Sequence, residues 1–422
     1  MLIYDSSKTA TLVNVTLKNL QGNTTTTDGA TADGLTVKED LSNFVQCGQA
    51  MANALTEHPE LFFNAATTML ETVGAIYFEL ATAEGYTLNA YDLQVSADEF
   101  ACLREKVRID DKPFEASFVL DGTYSSTFDD LFKKHPFTFN VKVWGNKGIY
   151  RTQPFTISYE MLKTSVQSRE GYSRLIGAMW AVIDCVVEQA ISQSPWFCIR
   201  QQIANAALYR GGIRVINLCS EYKKWSGVDF AGADDSTFAK WFVQYQRHLR
   251  KNLRKKTNKF SGKASICMNT PDRYERKFLI DTFYDDINAG LSGVYHDDKI
   301  GNIDDYELET EIQNVNEPRT LDIVPANPPV LTLNKHVTRV QFDGTIVGMI
   351  WDKRGTFWSM QYRQVKDNNN NFDDHVNYIS TVGAEHCVDE DSNVIVFVID
   401  KTKTGANYNT GYTITEENDS EE

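Results

Sequence analysis

Two places in the chain set an imidazole beside two consecutive aspartates. Tyr295-His296-Asp297-Asp298 and Asp373-Asp374-His375 hold the residue types that a general base or a metal site requires. Neither has the i, i+4 spacing that puts two ligands on one helix face, and neither stands near a glycine-framed nucleophile. Both lie in turn-rich polar stretches, where His and Asp are ordinary solvated loop residues. The chain has no G-x-S-x-G, phosphate-cradling glycine loop, dinucleotide fingerprint or H-E-x-x-H. No catalytic, cofactor-binding or metal-ligating residue is therefore assigned.

The sharper chemistry is charge. Arg247, His248, Arg250, Lys251, Arg254, Lys255, Lys256 and Lys259 crowd one end of a helical pattern. They could meet phosphate, or the acidic surface of a neighbouring protein. Cations at a helix C-terminus are also favoured by the macrodipole, at roughly 0.3–1 kcal/mol each. No aromatic residue is interleaved over 247–259, which weakens a single-strand nucleic-acid groove. The net charge of −15 argues against general nucleic-acid affinity, because phosphate binding works through Lys and Arg. Contact with a neighbour's Asp and Glu is the preferred reading. Asn146 and Lys147, between Gly145 and Gly148, read as ordinary hairpin-turn chemistry.

Several elements must position these residues. Phe137, Phe139, Val141 and Val143 alternate with Thr138, Asn140, Lys142 and Trp144, the period of a strand. Residues 149–152 then return, so the pattern predicts a hairpin with its turn at 145–148. After Pro154 the period becomes helical through Ile157, Met161 and Leu162. From Ser173 onward, Leu175, Ile176, Met179, Trp180, Ile183, Val186, Val187 and Ile191 cover much of a helix circumference, which predicts a largely buried helix. Arg174, Asp184 and Glu188 interrupt it, so it does not read as a membrane span. Ser194-Pro195 should stop it, and a second helix should run over 196–208.

Before this core, residues 1–35 are polar and rich in Thr, Asn and Gly, a composition that cannot by itself bury enough surface to offset the entropy of ordering it. Helical patterns follow through Leu41, Phe44, Val45, Met51 and Leu55, then Leu61, Phe62, Ala65, Met69 and Val73. Ser96-Ala97-Asp98-Glu99 is a capping box, and 114–120 is strand-like. Beyond the core, 213–218 reads as a strand. Asp235-Ser236 caps a helix with the apolar stripe Phe238, Trp241, Phe242, Tyr245, Leu249 and Leu253. Residues 263–268 read as a strand, and Thr270-Pro271 as the start of another helix. Strands are predicted over 307–315, 321–324, 337–342, 345–352, 357–362 and 392–400, with a solvated acidic tail after Lys401. The seven cysteines show no C-x-x-C, so they read as reduced and structural, and 1–16 does not read as a signal peptide.

The order of hairpin, short helix and long buried helix resembles the Hong Kong 97-type major capsid protein of tailed bacteriophages. The form GIYRTQPFTISYEMLK (148–163) is most similar to capsid proteins of small short-tailed phages, and DGTIVGMIWDKRG (343–355) resembles the family's closing segment. The resemblance implies an α+β fold. Its parts would be an N-terminal arm and helices over 1–94, an extended hairpin loop over 95–155, and the first part of a peripheral domain with the spine helix over 156–220. An axial domain over 221–330, returning strands over 331–400 and an acidic tail over 401–422 would follow. It further implies self-assembly into hexamers and pentamers of an icosahedral shell around double-stranded DNA, made in the host cytoplasm and ending in the virion. Scaffolding protein and portal would be partners, packaged DNA would be touched weakly and non-specifically, and no cofactor or membrane would be involved. On this reading Trp144, Asn146, Lys147, Tyr150, Arg247, Arg250, Lys251, Arg254 and Lys255 are candidates for contact between subunits. Two other classes remain open: a mixed α/β enzyme using a His/Asp cluster, and a nucleic-acid-binding protein using 247–259.

Overall fold

A chain with this many short period-two stretches can pair its strands in many ways, and the computed structural model shows which pairings win. It describes residues 14, 42, 44–57, 66–70, 93–95, 104–109, 139–144, 146–151, 154–264, 266–292, 307–309, 321–323, 325, 335–370, 375–402 and 412–418. In chain order the elements begin with helix α1 (Phe44–Glu57) and strands β1 (Arg104–Ile109), β2 (Phe139–Trp144), β3 (Asn146–Arg151) and β4 (Phe155–Ser158). Helices α2 (Tyr159–Val166) and α3 (Arg169–Leu208), strand β5 (Val215–Asn217), and helices α4 (Leu218–Ser226) and α5 (Ser236–Arg254) follow. Next come strand β6 (Glu275–Ile280), helix α6 (Asp281–Ser292), and strands β7 (Glu307–Glu309), β8 (Leu321–Ile323), β9 (Lys335–Phe342) and β10 (Thr345–Asp352). Strands β11 (Thr356–Asn370), β12 (His375–Val388), β13 (Val394–Ile399) and β14 (Tyr412–Asn418) close the chain. These elements divide into two units, one of Met1–Cys102, Lys147–Ser194 and Ser359–Glu385, the other of Leu103–Asn146, Pro195–Trp358 and His386–Glu422.

In the first unit, β11, β12 and β3 form a sheet and β4 also pairs with β12. The β4 register sets Phe155 opposite Tyr378, with their rings 5.8 Å apart, and Thr156 donates to the Asn377 side chain at 2.6 Å. Ser158 ends β4 and caps α2, its Oγ accepting from the Met161 N–H at 3.2 Å. This cap explains why Ile157, expected at the head of a helix, belongs to the strand. In α1 the described buried residues are Cys47 and Ala52, whereas Val45, expected on the buried face, is exposed.

Helix α3 spans 40 residues, about 60 Å at 1.5 Å per residue. Ser168 Oγ accepts from the Gly171 N–H at 2.9 Å and starts it. Tyr172, Leu175, Ile176, Met179, Ile183, Val186, Val187 and Ile191 are buried, but Ala178, Ala181, Cys185, Glu188 and Gln189 are exposed. This stretch is therefore amphipathic, buried on one side and exposed on the other, where the sequence predicts a largely buried helix. By length and composition alone α3 could cross a membrane. Pro195 does not end it: the helix runs through the proline into 196–208. An interior proline costs about 3 kcal/mol, and the burial of Cys198, Ile199, Ile203, Ala204, Ala206 and Ala207 offsets that cost.

The second unit is built on the sheet β5-β13-β10-β6-β7. Its central strands, TIVGMIWD and VIVFVI, are near-continuous apolar runs because both are buried on both faces. α5 and α6 pack on this sheet, with the Phe242 ring 5.2 Å from Phe283 and 5.8 Å from Phe397. Three further strands form the sheet β14-β9-β8.

Several expectations are corrected. The hairpin over 137–152 does not form: β2 pairs antiparallel with β1, Val141 opposite Val107 and Phe139 opposite Ile109, while β3 joins the sheet of the first unit. REKVRI shares the alternation of β2, and the pairing of these two strands outweighs a locally favourable turn. The strand expected at 213–218 is only β5, because Gly211–Arg214 form a helical turn and Asn217 caps α4 by accepting from the Cys219 N–H at 3.1 Å. Residues 263–268 form no strand; a single bridge joins Thr257 to Met268. Thr270-Pro271 opens only a 3-10 turn over Asp272–Tyr274, since the Thr270 hydroxyl donates to buried Asp352 at 2.9 Å instead of capping a helix. The acidic tail is not wholly solvated, because Tyr412–Asn418 pairs with β9. The strands expected to return together over 331–400 are shared, with β9, β10 and β13 in the second unit and most of β12 in the first. The capping box at 96–99, the strand-like 114–120 and the arm over 1–35, apart from Asn14, lie outside the described residues.

Candidate assembly surfaces

The cationic helix end is α5. Asp235 caps it, its carboxylate accepting from the Thr237 N–H at 2.7 Å. Phe238, Trp241, Phe242, Leu249 and Leu253 are buried along one face, and Tyr245 stacks on Trp241 at 4.8 Å. The cations fall into two stripes. Arg250 donates to Glu275 at 2.5 Å and Arg254 to Asp272 at 2.5 Å, so this stripe is paired within the chain, and Glu275 is buried. Arg247, Lys251 and Lys255, at i, i+4 and i+8, form a second stripe that is exposed. Among the described residues no carboxylate pairs with these three. The Lys259 ammonium lies 5.4 Å from the Phe260 ring centre.

The candidates near 144–150 separate. Trp144 ends β2 opposite Arg104, while Asn146 and Lys147 open β3 in another sheet. Nothing beyond the backbone is described for these three. Tyr150 is half-buried, its hydroxyl 3.0 Å from Ser194 Oγ inside the first unit. The β1–β2 register sets Glu105 opposite Val143, Lys106 opposite Lys142 and Val107 opposite Val141.

Of the His/Asp clusters, His375 is the first residue of β12, paired with Ser158. His296 and its neighbours, Asp373 and Asp374 lie outside the described residues. Among the described residues no three metal-ligating side chains come together.

Two features were not legible in sequence. One is the exposed pair Trp225 and Val228 beside the αL glycine Gly227 at the end of α4, 58% and 62% exposed. The other is a buried polar junction at 389–393, gripped by Arg214 and by Gln202, whose amide donates to Ser392 Oγ at 2.5 Å. Asp389 and Asp391 are buried there, although nothing in their local sequence signals it.

No family model matches the sequence, and no curated protein matches it. Solved structures similar to this fold are of phage capsids and heads. The capsid of Staphylococcus phage Andhra aligns over 74% of this chain and 84% of its own, at 10% identity and a TM-score of 0.44. A structure of the head fiber and inner core protein of bacteriophage P68 aligns over 74% and 85%, at 10% identity and a TM-score of 0.41. The mature capsid of bacteriophage PhiM1 aligns over 75% and 86%, at 8% identity and a TM-score of 0.34.

Proposed function

We propose that this chain is the repeating shell subunit of a tailed phage, a structural protein without catalytic activity. It forms hexameric and pentameric rings of an icosahedral capsid around double-stranded DNA. It assembles in the host cytoplasm with a scaffolding protein and a portal, and touches packaged DNA only weakly.

The observation that supports this reading is the order of elements. A two-stranded ribbon precedes a short capped helix and a helix of about 60 Å; a sheet flanked by helices follows, and its central strands β10 and β13 return from late in the chain. This is the order that the capsid resemblance implies, with the ribbon made by β1 and β2 instead of β2 and β3. A two-stranded ribbon is marginal alone in water and needs a further surface to pack on. In a shell, each such element finds that surface on a neighbouring copy.

Light scattering and negative-stain imaging of the purified protein, alone and co-expressed with a scaffolding protein, test the reading. Closed particles, tubes, sheets or rings of five and six are expected. A protein that remains monomeric under both conditions overturns it.

A further inference from the structure

The second unit is charged oppositely at two ends of α5. At the N-terminal end Asp234 is exposed and Asp235 caps the helix, and Asp285 and Asp286 are exposed on α6, which packs alongside. Burial, together with the negative charges of Asp234 and Asp285, holds the Asp286 carboxyl above its ordinary range, so these acids crowd one another. Lys240 is the only Lys or Arg over 236–246. At the other end, about 25 Å along the axis, stand Arg247, Lys251 and Lys255.

Local helix energetics account for only part of the cationic stripe: Lys251 lies in the last turn of α5, where the macrodipole favours it, and Arg247 does not. Like charges at i, i+4 cost about 0.2–0.5 kcal/mol per pair, and α5 holds one such pair, Arg247/Lys251, with Lys255 just past its end adding to the same charge. The macrodipole rewards cations only within the last turn. Arg247 lies seven residues before the end of α5 at Arg254, beyond that reach. Arg250 and Arg254, one step around the helix, have partners in Glu275 and Asp272. The chain bears an exposed row of repelling cations, and a partner with the opposite charge pattern relieves the repulsion.

We propose that the stripe Arg247, Lys251 and Lys255 docks the acidic end of a second copy of this chain, Asp234, Asp285 and Asp286, in a head-to-tail contact. Charge selects the occupant. Copies that each carry a net charge of −15 repel one another in general, so close approach is favoured where a cationic patch meets an acidic one. Because the two patches differ, the contact is heterologous, and repeating it generates a ring when the rotation closes. The inference names the contact within the shell-subunit reading and rests on it for ring closure.

Two double variants test it: K251E/K255E, acidic at both ends, and D285K/D286K, basic at both ends. All four side chains are exposed, and circular dichroism checks that folding is retained. Sedimentation velocity at low salt should show each variant alone losing self-association by about a hundredfold or more, since like-charge juxtaposition costs several kcal/mol. An equimolar mixture should associate again, and high salt should reverse it. Alternation of the two variants allows six-membered rings and forbids five-membered ones, which negative stain can count. Either double variant associating by itself like the parent overturns the proposal, as does a mixture no more associated than its parts. Loss of DNA retention by K251E/K255E with self-association unchanged also overturns it and assigns the stripe to nucleic acid. If the parent forms no assembly even with scaffold, the shell reading fails separately, while complex formation in the mixture still decides the contact.

Discussion

Arg214 Nη2 donates to the Ser392 carbonyl oxygen at 2.8 Å, joining positions 178 residues apart. Its Nη1 serves the carbonyls of Asn205, Tyr209 and Glu390 at 3.1, 3.2 and 3.1 Å. Burial lowers the guanidinium pKa to about 10, against the opposing pull of Asp391 and Asp389. Arg214→Met leaves those carbonyls without their donor and takes a buried cation from beside Asp389 and Asp391, and should cost about 3–5 kcal/mol of unfolding free energy. Arg214→Lys keeps the charge but not the fork, and an intermediate loss is expected. Urea denaturation measures both.

Pro195 sits within α3, so its missing N–H and its ring both act on a continuous helix. Pro195→Ala should raise stability by about 1–2 kcal/mol, less than the full proline penalty because the buried ring also packs. Were the helix to end at Ser194, as the Ser-Pro step suggests, the substitution would gain nothing. Thermal melts of the two proteins separate these outcomes.

His386 is buried with its ring centre 4.7 Å from that of Phe197, and burial lowers its pKa from 6.5 to about 4. The folded state keeps it neutral where the unfolded chain binds a proton. Stability from this group is therefore complete above pH 6.5, falls as pH drops from 6.5 toward 4, and levels off below. The full loss is roughly 3 kcal/mol. Urea midpoints against pH for the parent and for His386→Phe should diverge over that window, the variant showing the shallower decline.

Gly211 lies against the Tyr412 ring, so close that an added Cβ would overlap the hydroxyl. Gly211→Ala should destabilise by about 1–3 kcal/mol and loosen β14. Tyr412→Ala in the same chain removes the clash, so the double variant should be more stable than the sum of the single effects implies. Limited proteolysis near 402–412 reads the release of β14 directly. A C-terminal segment without that contact would give additive effects and no change in cleavage.

Contiguous information made part of this protein legible from sequence. The Asp235 cap, the apolar stripe of α5 and the strand at Thr345–Asp352 all follow from residues within a few positions of one another, where period and capping chemistry act. The cluster 247–259 was legible as charge, though not which cations turn outward: that depends on Glu275 and Asp272, carried by the segment after α5.

Only the tertiary structure decided the rest. β2 has the same alternation whether it pairs with β1 or β3, and the choice depends on which distant strand offers a matching face. Pro195 reads as a stop until the burial of 198–207 supplies the energy to carry the helix through it. Tyr412–Asn418 reads as a tail because its acids mask a period-two pattern that gains stability only when β9 lies beside it. In each case the local preference is worth a few kcal/mol at most, and packing between segments far apart in the chain outweighs it.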